Sequence, residues 1–169
     1  MATRTNTQSP ALHVADSHAK GTCFARRNAA NMTTHRRSEM KIKLTSIYVD
    51  DQEKALRFYT EVLGFVKKAD FSNGPYRWLT VASADEPEGT ELQLALNDNP
   101  AAKAYQQAIF EQGQPAAMFY TDDVRADYER IKARGAEFTT PPTDVTASTI
   151  AMLDDTCGNL IQVTELARG

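Results

Sequence analysis

The chain has 169 residues, 41% of them hydrophobic, and a formal net charge of −3, enough for one domain with a proper core and too few for two large ones. No run approaches the roughly eighteen uninterrupted apolar residues of a membrane span, which argues for a soluble protein with no membrane partner. Residues 1–39 hold six basic side chains and two acidic ones, leaving thirteen basic and twenty acidic for the rest. So acidic a remainder repels phosphate backbones, which argues against nucleic acid as a partner.

The two cysteines, Cys23 and Cys157, make no disulfide framework and fit no zinc spacing, so a reducing, cytoplasmic setting is expected. All three histidines, His13, His18 and His35, fall within the first 39 residues. That segment is rich in Ala, Thr, Asn, Arg and Ser and has neither a strand nor a helix period. Three readings of it stand: a disordered N-terminal extension, an upstream segment translated from a misplaced start with Met40 opening the domain, or an organelle transit peptide. Its His and Cys residues are not recruited into a site.

From Lys41 the pattern changes. Residues 42–49 read as a strand rich in β-branched and aromatic side chains. Asp50 offers an N-cap oxygen with Glu53 three residues later, and the helix that follows places Ala55, Leu56, Tyr59, Val62 and Leu63 on one stripe before Gly64. Strands are expected at 65–71, 76–83 and 90–97, separated by turns at Asn73-Gly74-Pro75 and 85–89. Asn99-Pro100 starts a connecting helix over about 100–112. A strand at 116–121, a helix after Asp122-Asp123 and strands at 136–139, 148–153 and 159–165 complete the chain.

The second half repeats the first. Leu44 to Asp51 corresponds to Ala116 to Asp123 at an offset of 72, Gly64 to Gly135 at 71, and Gly89-Thr-Glu-Leu-Gln-Leu to Gly158-Asn-Leu-Ile-Gln-Val at 69. The expected fold is therefore α+β: two tandem βαβββ modules, about 40–98 and 114–166, forming a cup-shaped mixed sheet within a domain over 40–169. The Asp pairs at the helix starts read as caps rather than paired general acids.

The segments Tyr48-Val-Asp-Asp, Ala55-Leu-Arg-Phe-Tyr, Val62-Leu-Gly-Phe65, Tyr120-Thr-Asp-Asp and Asp154-Asp-Thr-Cys-Gly-Asn-Leu-Ile-Gln162 resemble the vicinal-oxygen-chelate superfamily. This group holds glyoxalase I, bleomycin- and fosfomycin-resistance proteins and extradiol dioxygenases. The resemblance implies a glyoxalase-like fold and, from habit in the family, a homodimer. It also implies four metal-ligand positions, which fall here on Leu44, Gln93, Ala116 and Gln162. Leucine and alanine have no donor atom and two neutral amides suit a hard cation poorly, so neither metal nor cofactor is expected.

Alternation from those positions lines the cup with Leu44, Ser46, Tyr48, Glu91, Gln93, Ala95, Ala116, Met118, Tyr120, Leu160, Gln162 and Thr164. The expected ligand-binding residues are Ser46, Tyr48, Glu91, Gln93, Met118, Tyr120 and Gln162, joined by Arg77 as an anion clamp and Trp78 as a stacking surface. The expected partner is a small organic ligand. The alternative is a lyase, isomerase or dioxygenase with a non-standard site, for which Tyr48, Tyr120 and Glu91 are the acid–base candidates. A third reading is a degenerate domain kept for protein interaction.

Overall fold

The computed structural model describes residues 39–167. Apart from Glu39, the expected N-terminal extension lies outside the described residues. The first half runs β1 (Leu44–Val49), α1 (Gln52–Arg57), β2 (Val66–Asn73), β3 (Tyr76–Ala82) and β4 (Glu91–Leu96); α2 (Pro100–Glu111) connects it to β5 (Pro115–Tyr120), α3 (Val124–Ala133), β6 (Phe138–Val145), β7 (Ser148–Asp154) and β8 (Leu160–Leu166). Each half forms one four-stranded sheet, ordered β1-β4-β3-β2 and β5-β8-β7-β6. The first strand of each pairs in parallel with the last, and the remaining pairs are antiparallel. This is a glyoxalase-like α+β fold with two tandem βαβββ units.

Three local details differ from the sequence reading. The cap of α1 is Asp51, not Asp50: its carboxylate accepts from the N–H groups of Glu53 and Lys54 at 2.8 and 2.9 Å, while Asp50 pairs with Lys54 at 3.0 Å. Beyond Arg57 the helix widens into a π turn over Phe58–Val62, and this brings Phe58 into the core beside Tyr59. Strand β6 extends well past residue 139, through Pro141 and Pro142. Its place at a sheet edge allows this, since a proline there forfeits no ladder bond to an outer neighbour, and the register shifts between Thr140 and Thr143 absorb it.

The two modules share one core. Alternation turns Ile47, Val49, Leu92 and Leu94 of the first sheet, and Ile161, Val163, Ala151 and Leu153 of the second, into a common apolar cluster with the helices. Tyr59 and Phe65 of the first module meet Phe119 of the second edge-on, at ring distances of 6.5 and 5.1 Å. Arg130 of α3 donates to the carbonyl of Leu63 at 3.2 Å, and Arg134 to that of Val62 at 3.3 Å. Two guanidinium groups thus satisfy carbonyls that the end of the π turn leaves unpaired.

A buried polar seam crosses the same boundary. Asp155 is fully buried in the turn between β7 and β8. Its carboxylate accepts from the N–H groups of Cys157 and Asn159, the amide of Asn159 and the hydroxyl of Tyr59, at 2.7–3.1 Å. Gln106 of α2 and Asn159 both donate to the carbonyl of Tyr48, at 2.7 and 2.8 Å, and the N–H of Asp50 donates to the carbonyl of Cys157. Burial pushes the Asp155 carboxyl above its ordinary range, opposed by these donors, led by Asn159. Asp155→Asn preserves volume but sets an NH2 group against donors in a dry site. It should lower stability by about 1–3 kcal/mol, read as an earlier urea midpoint at unchanged slope.

Candidate ligand-binding site

The face of each sheet that does not meet the core is open, and most of the expected site residues lie on these two faces. On the first, Ser46 stands opposite Gln93 and donates its hydroxyl to the Gln93 amide oxygen at 2.8 Å. Thr80, on the other side of Gln93 in the ladder, donates to Glu91 Oε2 at 2.6 Å. One step along the strands, Tyr48 faces Ala95. Trp78 pairs with Phe71 across the β2–β3 hairpin, their rings stacked at 6.3 Å and 19°. Phe71 went unremarked in the sequence, yet counting back from the Gly74-Pro75 turn puts it opposite Trp78.

On the second face Met118 stands beside Gln162 and Tyr120 beside Thr164, and the Gln162 amide donates to Thr164 Oγ1 at 3.0 Å. Two clefts gather the expected residues further. One of about 410 Å³ brings Glu91 together with Met118, Tyr120, Ala82 and Phe65. The other, about 90 Å³, lies under α2 and brings Ser46 and Tyr48 against Tyr105, Ala116 and Leu160. Gln93 and Gln162 line neither of these two clefts.

Arg77 stands apart from the set. It alternates with Trp78 and so points to the helix-covered face, where Asp70 takes two of its nitrogens at 2.8 and 2.9 Å and Glu53 of α1 a third at 2.9 Å. An anion clamp needs a free guanidinium on the open face, and this one has neither property. The hydrogen bond from Arg77 leads in holding the Asp70 carboxyl down at about 2. Cys157 is likewise no nucleophile: it is fully buried, and burial, with the neighbouring Asp155 charge, pushes its thiol up to about 12.

A family model for the glyoxalase/bleomycin resistance protein/dioxygenase superfamily matches residues 41–163. The chain belongs to this superfamily. It is 54% identical over 126 residues to the YurT protein of Bacillus subtilis (strain 168), covering 75% of this chain and 99% of that one. Among solved structures it is similar to UcmS2, with 30% identity, a TM-score of 0.67, and coverage of 76% of this chain and 99% of that one. It is similar also to TnmS3, described as an antibiotic binding protein from Streptomyces sp. CB03234, with 30% identity, a TM-score of 0.62, and coverage of 77% and 98%.

The metal centre of the superfamily's metal-dependent members does not fit the residues present. Leu44 and Ala116 are hydrocarbon, the Gln93 amide oxygen already accepts from Ser46, and the Gln162 amide, which donates its nitrogen to Thr164, leaves one neutral oxygen, a poor set for a hard cation. Glu91, the nearest carboxylate, is bonded to Thr80. Among the described residues no group of three or more His, Cys, Asp or Glu side chains is placed to hold a metal ion.

Arg77→Ala should leave ligand affinity unchanged and cost about 1 kcal/mol of stability at pH 7, since the ion pair is partly solvated. Asp70 is held below its ordinary 3.8, so its pairing stabilises above that value and is lost as pH falls toward about 2. The gap between wild type and variant in urea unfolding should therefore narrow from pH 4 to pH 2.

Proposed function

We propose that this protein binds a small organic molecule on its open sheet faces, as a homodimer and without a metal. The observation that carries the reading is the side-chain make-up of those faces. Phe71, Met118 and Tyr120 are 60%, 54% and 67% exposed, with Tyr48 and Trp78 near 40%. A monomeric soluble domain has no folding reason to spend aromatic and methionine side chains on solvent, and such patches mark binding surfaces. Ser46, Glu91, Gln93 and Gln162 supply the few polar groups that orient a ligand among them.

Pairing the first sheet of one chain with the second sheet of another would cover both faces and enclose a cup that the single chain leaves open. The antibiotic-binding description of TnmS3 supports a small-molecule role at 30% identity. The acidic balance of the domain argues against nucleic acid. Cys157, buried and unpaired, fits a reducing compartment such as the cytoplasm. No helix among the described residues is long and apolar enough to cross a membrane.

Thermal-shift screening of the full chain against a broad library of aromatic metabolites and antibiotics should give hits, since a ligand at a hundred times its Kd adds about 2.7 kcal/mol. Sedimentation should give a dimer, and elemental analysis no stoichiometric transition metal after dialysis. A library without hits would remove the binding role; retained metal would remove the metal-free claim alone.

A further inference from the structure

The cleft of about 90 Å³ under α2 is lined by Ile109 and Phe110 of the helix, Ala116 of β5, Leu160 of β8 and the aromatic Tyr48 and Tyr105. Two features keep it open. The first is Gln106, one turn before Ile109 and Phe110. Its amide nitrogen donates to the carbonyls of Tyr48 and Cys157 and to the Asn159 side chain at 2.7–3.1 Å, and its oxygen accepts from Asn97 at 2.6 Å. Gly158 permits this close approach, since a Cβ there would stand 2.9 Å from the Gln106 nitrogen. Settling of α2 into the gap would break these bonds, and together they outweigh an empty space of this size.

The second feature is Ala116. It is the extra residue of a bulge between the Pro115–Leu160 and Ala117–Ile161 pairs, a device that re-aims a side chain. Its counterpart in the first module, 72 residues earlier, is Leu44. A leucine at position 116 would fill much of the cleft.

The amides in the lining are committed to one another and to the seam. Ser46, also on the lining, gives its hydroxyl hydrogen to Gln93 Oε1 at 2.8 Å, so its Oγ offers the cleft lone pairs rather than a proton. Apolar walls with such an acceptor suit a ring that carries one neutral donor. A charged ammonium would lose its water there with no counter-charge to replace it. An apolar cavity of about 150 Å³ takes benzene, so this smaller space takes one ring and not a fused system.

We propose that the cleft under α2 takes a single neutral phenol ring, with Ser46 accepting from the phenol hydroxyl. This rests on the small-molecule reading above and assigns it a ligand class.

NMR titration of the full chain, with its alanine, isoleucine and leucine methyls carbon-13 labelled, compares p-cresol with toluene, which lacks only the hydroxyl. At millimolar concentration p-cresol should shift the methyls of Ile109, Ala116 and Leu160 and give NOEs from its ring to them. Ser46→Ala should weaken p-cresol about tenfold, as a buried donor without its acceptor does, and leave toluene within about twofold. Ala116→Leu should abolish the NOEs at an unchanged melting temperature, since Ala116 is exposed. The wild-type NOEs decide the site whether or not a variant folds. Toluene binding without p-cresol, or p-cresol affinity unchanged in Ser46→Ala, overturns the phenol class. Shifts confined to other methyls, or none with either compound, overturn the site, whereas the small-molecule reading fails only if the broad library is also without hits.

Discussion

A single buried carboxylate holds the two halves of this protein in register. Asp155 accepts hydrogen bonds from both its own turn and the first module's Tyr59, and no buried side-chain polar atom among the described residues lacks a partner. A charge taken out of water is costly unless its acceptor sites are filled. The arrangement therefore tolerates little sliding of one module on the other. The apolar cluster supplies most of the attraction between the modules and is indifferent to small shifts. The polar seam selects one geometry from those the cluster would accept.

That geometry determines which surfaces remain. With one face of each sheet committed to a shared core, the other face of each turns outward. The outward residues are not those of an ordinary solvent face: Tyr48, Trp78, Phe71, Met118 and Tyr120 stand where a monomer would carry Lys, Glu and Thr. The core faces are almost wholly apolar and the open faces mixed, so both patterns come from the same period-two alternation. Packing demands fix the core side and leave the composition of the other side free.

Much of this was legible in the chain itself. The offset of about 70 residues between equivalent glycines and strands is visible without any structure, and alternation in residues 44–49 and 91–96 assigns each side chain to a face. The failures have physical causes. Asp50 and Asp51 are equally good caps by composition, and only the extended backbone at Asp51 decides between them. Two adjacent prolines read as a strand terminator unless the strand is known to be an edge. Arg77 and Trp78 are neighbours in sequence, but neighbours on a strand face opposite ways, so a pair read off the sequence is split between two faces. The Asp155 seam was illegible because its residues, Asp-Thr-Cys-Gly-Asn, are those of any exposed turn. Burial depends on where the turn docks, and that is a tertiary fact.

The duplication has also been put to two uses. In the second half the turn before the last strand is driven into the module boundary. In the first half the equivalent stretch, 83–90, keeps its acids at the surface, with Glu88 bonded to Lys68, and borders the cleft that holds Glu91, Met118 and Tyr120. One junction has become a seam and the other an opening. The seam is not neutral toward the open face, because Gln106 and Asn159 both bind the carbonyl of Tyr48. The backbone of Tyr48 is thereby fixed by the network that aligns the modules, while the Trp78 ring is held by its stack on Phe71. Side chains anchored in this way lose less entropy in any contact they make than free ones would. On the function proposed above, a fold whose four usual metal-ligand positions are here Leu44, Gln93, Ala116 and Gln162 offers its ligand anchored side chains in place of a metal.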